Sequence, residues 1–224
     1  MRFPLRKLLF GLFCLVAAKS ALAAEAALDV LDPPAAYSAN FTVSSARGTY
    51  HGKVWHMQGL ERREVATAGG GQGVLINRGD DTAYLLGLSG KWYVGLSLRA
   101  AAGMVGGLDA WKVQRSKLRE ENVDGQRATR WKTRADGPRG GFAGDIWTNR
   151  DGIVVKAAGT MNSADGDDTP VEMVLSEVRV GGVDRRVFEL PQGWFGFDLR
   201  QVPPEKVVSA VESLKPLLEM RKGR

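Results

Sequence analysis

The only two histidines of the chain, His51 and His56, are the residues that most readily suggest a metal site or a general base. They lie five residues apart in a segment rich in strand-forming residues. Because side chains alternate between the two faces of a strand, an odd spacing directs the two imidazoles to opposite faces. A metal site needs clustered ligands, so we expect no metal at these histidines.

The other segments with chemical character do not complete a known motif. Residues 162–168 ("NSADGDD") are acidic but lack the spacing and the final glutamate of a calcium loop. Residues 69–73 ("GGGQG") lack the Lys-Ser/Thr of a phosphate loop. The serines of "GLSG" (87–90) and "GLSL" (95–98) lack the G-x-S-x-G pattern of hydrolases. We therefore expect a protein that is not an enzyme and that carries no cofactor and no metal.

The first 23 residues are typical of an export signal. Three basic residues precede an apolar run, residues 8–18, which is too short to span a membrane. Residues 21–23 (Ala-Leu-Ala) match a signal peptidase site, which predicts cleavage before Ala24 and a periplasmic product. The alternative is a retained membrane anchor. A lipoprotein is disfavoured, because Phe13 is too large for the position before Cys14 in a lipobox.

Removal of the predicted signal changes the charge of the chain. The segment holds four of the 31 basic residues and none of the 25 acidic ones, so the net charge falls from +6 to +2. Nucleic-acid binding needs a basic face, so we expect no nucleic-acid partner. The basic end, residues 221–224 ("RKGR"), is interpreted as a solvated tail. Cys14 is the only cysteine, so the exported chain has no disulfide and must rely on its hydrophobic core.

Turn signals and alternating residues predict a β-rich chain. Four Asp-Gly pairs, which suit tight hairpin turns, separate segments of strand length between residues 124 and 166. In residues 170–180 the apolar phase slips after Ser176. The pattern predicts a meander of about eleven antiparallel strands. The candidate strands are residues 37–45, 48–57, 60–67, 73–78, 82–88, 91–98, 116–122, 126–135, 144–150, 152–160 and 170–180.

Two segments have helical periodicity instead. Residues 98–111 contain alanines but also three glycines, which predicts a weak or mobile helix. Residues 203–220 open with two prolines and then place valines on one helical face, with a kink expected at Pro216. Because a sheet of eleven strands twists, it must curl, split or close. A barrel, a two-sheet sandwich and an open half-barrel all fit this pattern.

Two motifs narrow the choice. A hairpin of the form "W-x-x-x-D-G-x-x-x-K" is formed by Trp147, Asp151, Gly152 and Lys156, and "F-x-L-P-x-G" ends the stretch "VFELPQGW" at residues 187–194. In this order and spacing the chain resembles the outer-membrane lipoprotein carrier superfamily of LolA, LolB and RseB-like half-barrels. The resemblance covers residues 37–194. It implies a mainly β protein with one curved antiparallel sheet, an open half-barrel, covered by short helical lid elements.

The resemblance also organises the chain. It implies a half-barrel domain at residues 24–200 after the signal at 1–23, followed by a C-terminal helix and basic tail at 201–224. The carriers usually begin with a helix before the first strand, for which only residues 24–36 are available here. Within "VFELPQGW" we expect Phe188 and Leu190 to anchor under the sheet and Pro191 to end it, since proline cannot donate to a ladder.

A half-barrel of this kind implies a concave apolar face that shelters acyl chains or a lipidated protein. Thr133 is expected to point outward, away from that face. The candidate lining residues are Trp55, Met57, Val74, Ile76, Leu85, Trp92, Val94, Met104 and Met173.

Three functions follow from this reading. The first is a periplasmic, non-enzymatic binding protein for a lipid or a lipidated protein, acting in outer-membrane lipoprotein sorting or envelope maintenance. Its partner would be a lipid acyl chain or a lipoprotein. The second is a periplasmic sensor or interaction module that binds a membrane-anchored protein partner. The third is a hydrolase whose site assembles only in the folded chain.

Overall fold

The computed structural model describes residues 24–220, apart from 68–69, 105–106, 164–165 and 167. The expectations for the signal, Gly106 and the basic tail therefore lie outside the described residues. The strands are β1 (Glu25–Ala26), β2 (Tyr37–Ser45), β3 (Gly48–Met57), β4 (Leu60–Val65), β5 (Gln72–Asn77), β6 (Thr82–Gly87), β7 (Trp92–Ser97), β8 (Lys112–Val123), β9 (Gln126–Gly137), β10 (Gly140–Asn149), β11 (Val154–Ser163), β12 (Asp168–Val180) and β13 (Phe195–Asp198). The helices are α1 (Ala27–Val30), α2 (Leu98–Met104) and α3 (Pro204–Met220), with 3-10 turns at Leu108–Ala110 and Arg185–Phe188.

The thirteen strands form one open sheet. Their order is β1-β8-β9-β10-β11-β12-β2-β3-β4-β5-β6-β7-β13, so two antiparallel meanders, β2–β7 and β8–β12, are joined by the pairing of β12 with β2. Among the strands of the described residues, only β13 runs parallel to its neighbour, β7. The end strands β1 and β13 do not pair with each other, so the sheet is not closed into a barrel. The expected open half-barrel is confirmed.

The eleven predicted strands correspond to β2–β12. The two that were missed, β1 and β13, have two and four residues, which is too short for periodicity to reveal. The predicted hairpin turn at Asp124-Gly125 is present with φ of 48° and 78°. Positive values at both positions are those of a type I′ turn. The predicted slip in β12 is also confirmed, as a register break between Ser176 and Arg179.

The prediction for "VFELPQGW" was partly wrong. Strand β12 ends at Val180, and a 3-10 turn at Arg185–Phe188 replaces the expected strand end. Phe188 is buried against Leu75 and Leu86 on the sheet, and Leu190 packs on the same cluster, so both anchor as predicted. The sheet does not end at Pro191, because β13 follows and joins it. The segment with Phe188 crosses one face of the sheet here. Its alternation of apolar and polar residues is also that of a strand, so the sequence does not distinguish a crossing segment from one more strand.

The sheet buries apolar side chains on both of its faces. Directly paired residues share a face, so Val74, Leu85 and Val94 project from the side on which α2 and α3 pack, which we call the helix-covered face. Leu75, Tyr84 and Leu86 project from the opposite face, where the segment that contains Phe188 packs. A sheet this large thus has two apolar layers, and alternation alone cannot say which one is the ligand face.

Thr133 corrects one expectation. It was predicted to point outward, but only 5% of it is exposed, and it lies in register between Arg115 and Gly144 on the buried phase of β9. Its hydroxyl donates to the Trp131 carbonyl oxygen at 3.1 Å. The exposed phase of β9 is occupied by its charged neighbours, such as Lys132, so the short polar threonine takes the inner position.

Candidate functional site

The apolar centre of the helix-covered face lies on β7. Val94 and Leu96 are completely buried, and each stabilises the fold by about 1.5–3 kcal/mol through apolar burial. Above them pack Ala100 of α2 and Val207 of α3, which are 1% and 0% exposed. The two helices also contact each other. They form a cover over one apolar strip of the sheet, with a hydrophobic cluster separate from those of the other strands.

Local sequence explains where the cover begins. Strand β7 runs directly into α2, and the Ser97 hydroxyl accepts the Ala100 N–H at 3.2 Å, as an N-cap residue does. Helix α2 has only seven residues and ends near Gly107, whose φ of +77° favours glycine. Helix α3 begins at Pro204, a residue suited to a first helical turn. A helix as short as α2 depends on tertiary packing for its stability.

The structure divides the nine predicted lining residues. Five share the helix-covered face of β5–β7, and Met173 lies on the same face but in β12, against the clusters of the other half of the sheet. Trp55 and Met57 lie on the opposite face with Phe188. Met104 is 39% exposed at the end of α2. The five on this face are Val74, Ile76, Leu85, Trp92 and Val94, of which Leu85, Trp92 and Val94 belong to the cluster under α2 and α3. The assignment of a ligand to them stays a prediction.

Trp92 has an additional feature that the sequence does not show. Its indole lies so close to Gly87 and Gly90 that a Cβ at either glycine would be within 2.1–2.6 Å of the ring. The Nε1 atom is buried and has no hydrogen-bond partner among the described residues. Most buried donors in proteins have a hydrogen-bond partner. The unpaired N–H of Trp92 inside an apolar lining is therefore a position where a carbonyl oxygen of a ligand would accept a hydrogen bond.

A second apolar space on this face lies under the N-terminal segment. Val30, Leu31 and Pro33 close over Phe41 and Met173, and a cavity of about 20 Å³ remains between them. That is room for about one water molecule. In this conformation the space under the N-terminal segment is therefore filled by the protein's own side chains, and a ligand can enter it only if that segment moves.

A charged cluster borders this space. Glu61 of β4 accepts two hydrogen bonds from Arg63, at 2.8 and 3.3 Å, and faces His56 Nδ1 at 3.8 Å. His56 is 1% exposed, stacks on Tyr37, and bonds the Pro33 carbonyl oxygen through Nε2 at 2.9 Å. His51 lies on the other face, exposed, as predicted. Among the described residues, no group of three His, Cys, Asp or Glu side chains could hold a metal ion.

The charged cluster changes the pKa values of Glu61 and Tyr37. Burial by itself raises the pKa of the Glu61 carboxyl, but the charge of Arg63 and its hydrogen bonds outweigh burial and lower the pKa to about 2. Burial, and then the charge of Glu61, raise the pKa of Tyr37 to about 12. Glu61 is therefore a carboxylate and Tyr37 a neutral phenol at physiological pH.

Sequence reasoning missed this cluster, although a signal was present. Strand β4 reads "LERREV", with four successive charged residues, so two of them must point to each face. Glu61 and Arg63 share one face, and Arg62 and Glu64 share the other, where Arg62 donates to Glu64 and to the Val187 carbonyl oxygen. Opposite charges two apart on a predicted central strand indicate ion pairs on both faces.

Comparison with known proteins rests on structure. No protein-family model matches the sequence, and no curated protein does. An uncharacterized conserved protein from Thermus thermophilus superposes with a TM-score of 0.50 at 12% identity, over 77% of this chain and 96% of that one. The fold is LolA/LolB/RseB-like. A LolA superfamily protein from Nitrosomonas europaea gives a TM-score of 0.40 at 14% identity, over 77% of this chain and 97% of that one.

MucB is another solved structure to which this chain is similar. Its TM-score is 0.47 at 14% identity, and the match covers 76% of this chain. The chain spans about 64% of the length of MucB. At these identities the likeness concerns the LolA-like fold alone. In the part of the half-barrel that the structure describes, no helix is long and apolar enough to cross a membrane.

Proposed function

We propose that this chain is a periplasmic, non-enzymatic binding protein for an acyl chain, presented by a lipid or by a lipidated protein. The observation that carries the proposal is the apolar strip of β6 and β7 beneath α2 and α3. Its central residues, Val94 and Leu96, are fully buried, and α2 and α3 pack over them. Displacement of these helices would expose an apolar strip on a LolA-like sheet that keeps its own hydrogen-bond ladder.

The energetics of the exchange support an acyl ligand. When the helices move, the strip loses apolar contacts, and an acyl chain replaces them at roughly 0.8 kcal/mol per buried methylene. A flexible chain fits a strip better than a compact solute does. The unpaired Nε1–H of Trp92 adds a donor for an ester or amide carbonyl at one end of the strip.

The proposal is tested by direct binding. Saturable binding of a fluorescent fatty acid to the purified mature chain, followed through the probe, is the expected result. Mass spectrometry of organic extracts from gently purified protein is expected to find co-purified lipid. A folded wild-type chain that binds no acyl probe and carries no lipid from the cell would show that the helix-covered strip is only a filled core.

The helix α2 in the cover leads to a prediction about the rate at which the acyl probe is released. Gly103 lies in α2, and an added Cβ there would meet only the end of the Arg139 side chain, at 3.0 Å. Gly103→Ala is expected to stabilise α2 by up to about 1 kcal/mol and to slow release of the acyl probe several-fold in stopped-flow displacement. Ala102→Gly is the reciprocal variant and should speed release. Unchanged release in Gly103→Ala, with increased helicity shown by circular dichroism, would remove α2 from the gating role.

Export gives a second prediction. The mature protein is expected to begin at Ala24 and to be released with the periplasmic fraction, because the preceding segment has the pattern of a cleaved signal. Intact-mass measurement of protein from that fraction checks the cleavage. Recovery of membrane-bound protein that still carries Met1 would contradict it and with it the compartment.

A second candidate function is an interaction module for a membrane-anchored protein. It is favoured by exposed apolar side chains on the covering helices, Met104 at 39% and Val208 at 49% exposure. The structure of MucB has been solved in complex with periplasmic MucA, and this complex is a property of MucB. Specific retention of one membrane protein by the delipidated chain, lost in Val208→Glu, would support this reading over the acyl-binding one.

A further inference from the structure

Two adjoining clefts lie on the face opposite to the covering helices. One has a volume of about 690 Å³ and the other about 220 Å³, and they share Asn40 and Lys53. Three directly paired rungs of β2 and β3 run along them: Ser38 with Trp55, Asn40 with Lys53, and Thr42 with His51. Trp55 stands at one end, and its indole is half-buried. Together they form a groove, the β2–β3 groove, of the size that small ligands occupy.

The groove wall contains the irregularity in β12. Between Ser176 and Arg179 the register with β2 breaks, and Glu177 has a φ of 52°. A left-handed conformation is unfavourable for a glutamate, and a bulge redirects the side chains around it. Here Glu177 and Arg179 are turned into the smaller cleft, beside Ser38. Such strain is characteristic of positions that serve a site rather than a core.

The chemistry of the groove is neutral and rich in hydrogen-bonding groups. Serine and threonine hydroxyls and the Asn40 amide offer both donors and acceptors. No hydrogen bond of the Ser38 or Asn40 side chain is present within the described part of the chain. The charges balance, since Lys53 and Arg179 face Glu177 and Glu64. A polyanion is therefore not favoured over a neutral ligand.

The backbone excludes one common alternative. Strands β12, β2, β3 and β4 are paired with neighbours on both sides, so an extended peptide cannot add a strand at the groove. A ligand must be recognised by side chains alone. Hydroxyl and amide partners along a line, with a tryptophan ring at the end that offers an apolar face and an N–H, suit a chain of sugar rings.

We propose that the β2–β3 groove binds an uncharged oligosaccharide. The sugar hydroxyls pair with Ser38 and Asn40, while the Thr42 hydroxyl is already bonded to His51 Nδ1 at 3.0 Å, and one ring lies against Trp55. This site is separate from the acyl-binding strip, which lies on the other face of the sheet, and does not depend on it.

The test uses the mature chain and defined soluble sugars. β-1,4-linked N-acetylglucosamine oligomers and malto-oligosaccharides serve as neutral probes, and a heparin oligosaccharide serves as the polyanion. Calorimetry and saturation-transfer NMR are expected to show saturable binding of at least one neutral oligomer. The Ser38→Ala/Asn40→Ala double variant should weaken it at least about tenfold, the loss of a few hydrogen bonds. Leu118→Ala, on distant β8, is the matched surface control.

The outcomes separate the proposals. Loss of sugar binding in Ser38→Ala/Asn40→Ala with retained binding of the acyl probe supports the groove. Sugar binding that is equal in wild type and in the double variant overturns it, as does the absence of neutral-sugar binding in both measurements. Binding of heparin alone, abolished by salt, identifies a charged surface and also overturns it. Trp92→Glu is expected to leave sugar binding unchanged.

Discussion

Trp92→Glu is expected to abolish binding of an acyl probe, with a loss of roughly a hundredfold or more in affinity. The substitution places a carboxylate in the apolar strip next to Val94, where the acyl chain would lie. An ionised group without a partner in such a position costs several kcal/mol, and each 1.4 kcal/mol is a tenfold change in affinity. Trp92 is chosen because it is partly exposed, so the fold tolerates the change better than it would at fully buried Val94. Fluorescent fatty-acid titration measures the effect.

Leu118→Glu provides the matched control for this variant. Leu118 is an apolar strand residue that is 52% exposed on β8, far from the strip in sheet order. The same apolar-to-acid change there is expected to leave probe binding intact. Thr133, which the sequence suggested as an outward control, is unsuitable because it is buried. Val94→Asp is expected to lose binding together with stability. Full probe binding by folded Trp92→Glu would contradict the location of the site.

Arg63→Ala is expected to lower the free energy of unfolding by about 3 kcal/mol. The Glu61 side chain is 11% exposed, so removal of Arg63 leaves a buried carboxylate without its main partner. The expected loss of stability is at the lower end of the range for buried ion pairs, because the Arg63 side chain is 41% exposed. Urea denaturation of the mature chain measures the change. Arg200→Ala, which breaks a more exposed pair with Asp198, is expected to have little effect, and equal losses in the two variants would contradict a special role for the buried pair.

The same pair predicts an acid dependence. The Glu61 carboxyl has a pKa near 2 in the folded chain, below its ordinary value of 4.5. Its contribution to stability is therefore complete above about pH 5 and is lost as the pH falls toward 2. In Arg63→Ala the loss of stability on acidification should be smaller, because protonation of Glu61 then removes a buried charge that has lost its partner. A parallel decrease for wild type and Arg63→Ala between pH 5 and pH 3 would show that other groups control acid stability.

The fold was largely predictable because its determinants are local. Alternation in β2, with Tyr37, Ala39 and Phe41 on one phase, specifies a half-buried strand. Asp124-Gly125 specifies the hairpin between β8 and β9 by its backbone conformation. Even the break in β12 was visible as a slip in the apolar phase. Strands β1 and β13 were not predictable, because two to four residues contain no period and their pairing with distant strands decides their conformation.

The candidate sites were predictable only in part. Ile76, Leu85 and Val94 could be assigned to one face of the sheet, because they share a phase of the alternation. Trp55 and Met57 also lie on an apolar side of their strand, but in the structure that side belongs to the opposite face of the sheet. A sheet with two buried faces gives the same alternation for both. The charges of "LERREV" indicate an ion pair between Glu61 and Arg63, but the sequence does not show that this pair is buried beside His56, because burial depends on partners that are distant in the chain.

The sequence by itself determined the strands β2–β12 and the helices α2 and α3, with their order and spacing, since hydrophobic periodicity, turn residues and helix starts act over a few residues. The tertiary structure decided which apolar face α2 and α3 cover, that the segment with Phe188 crosses the other face, and that Glu177 is strained beside a polar groove. The strain at Glu177 lies where β12 pairs with β2 and joins the two meanders, and the other two features come from packing of later segments on β4–β7. They depend on contacts between residues more than a hundred positions apart, where side-chain packing and desolvation, not local propensity, set the free energy.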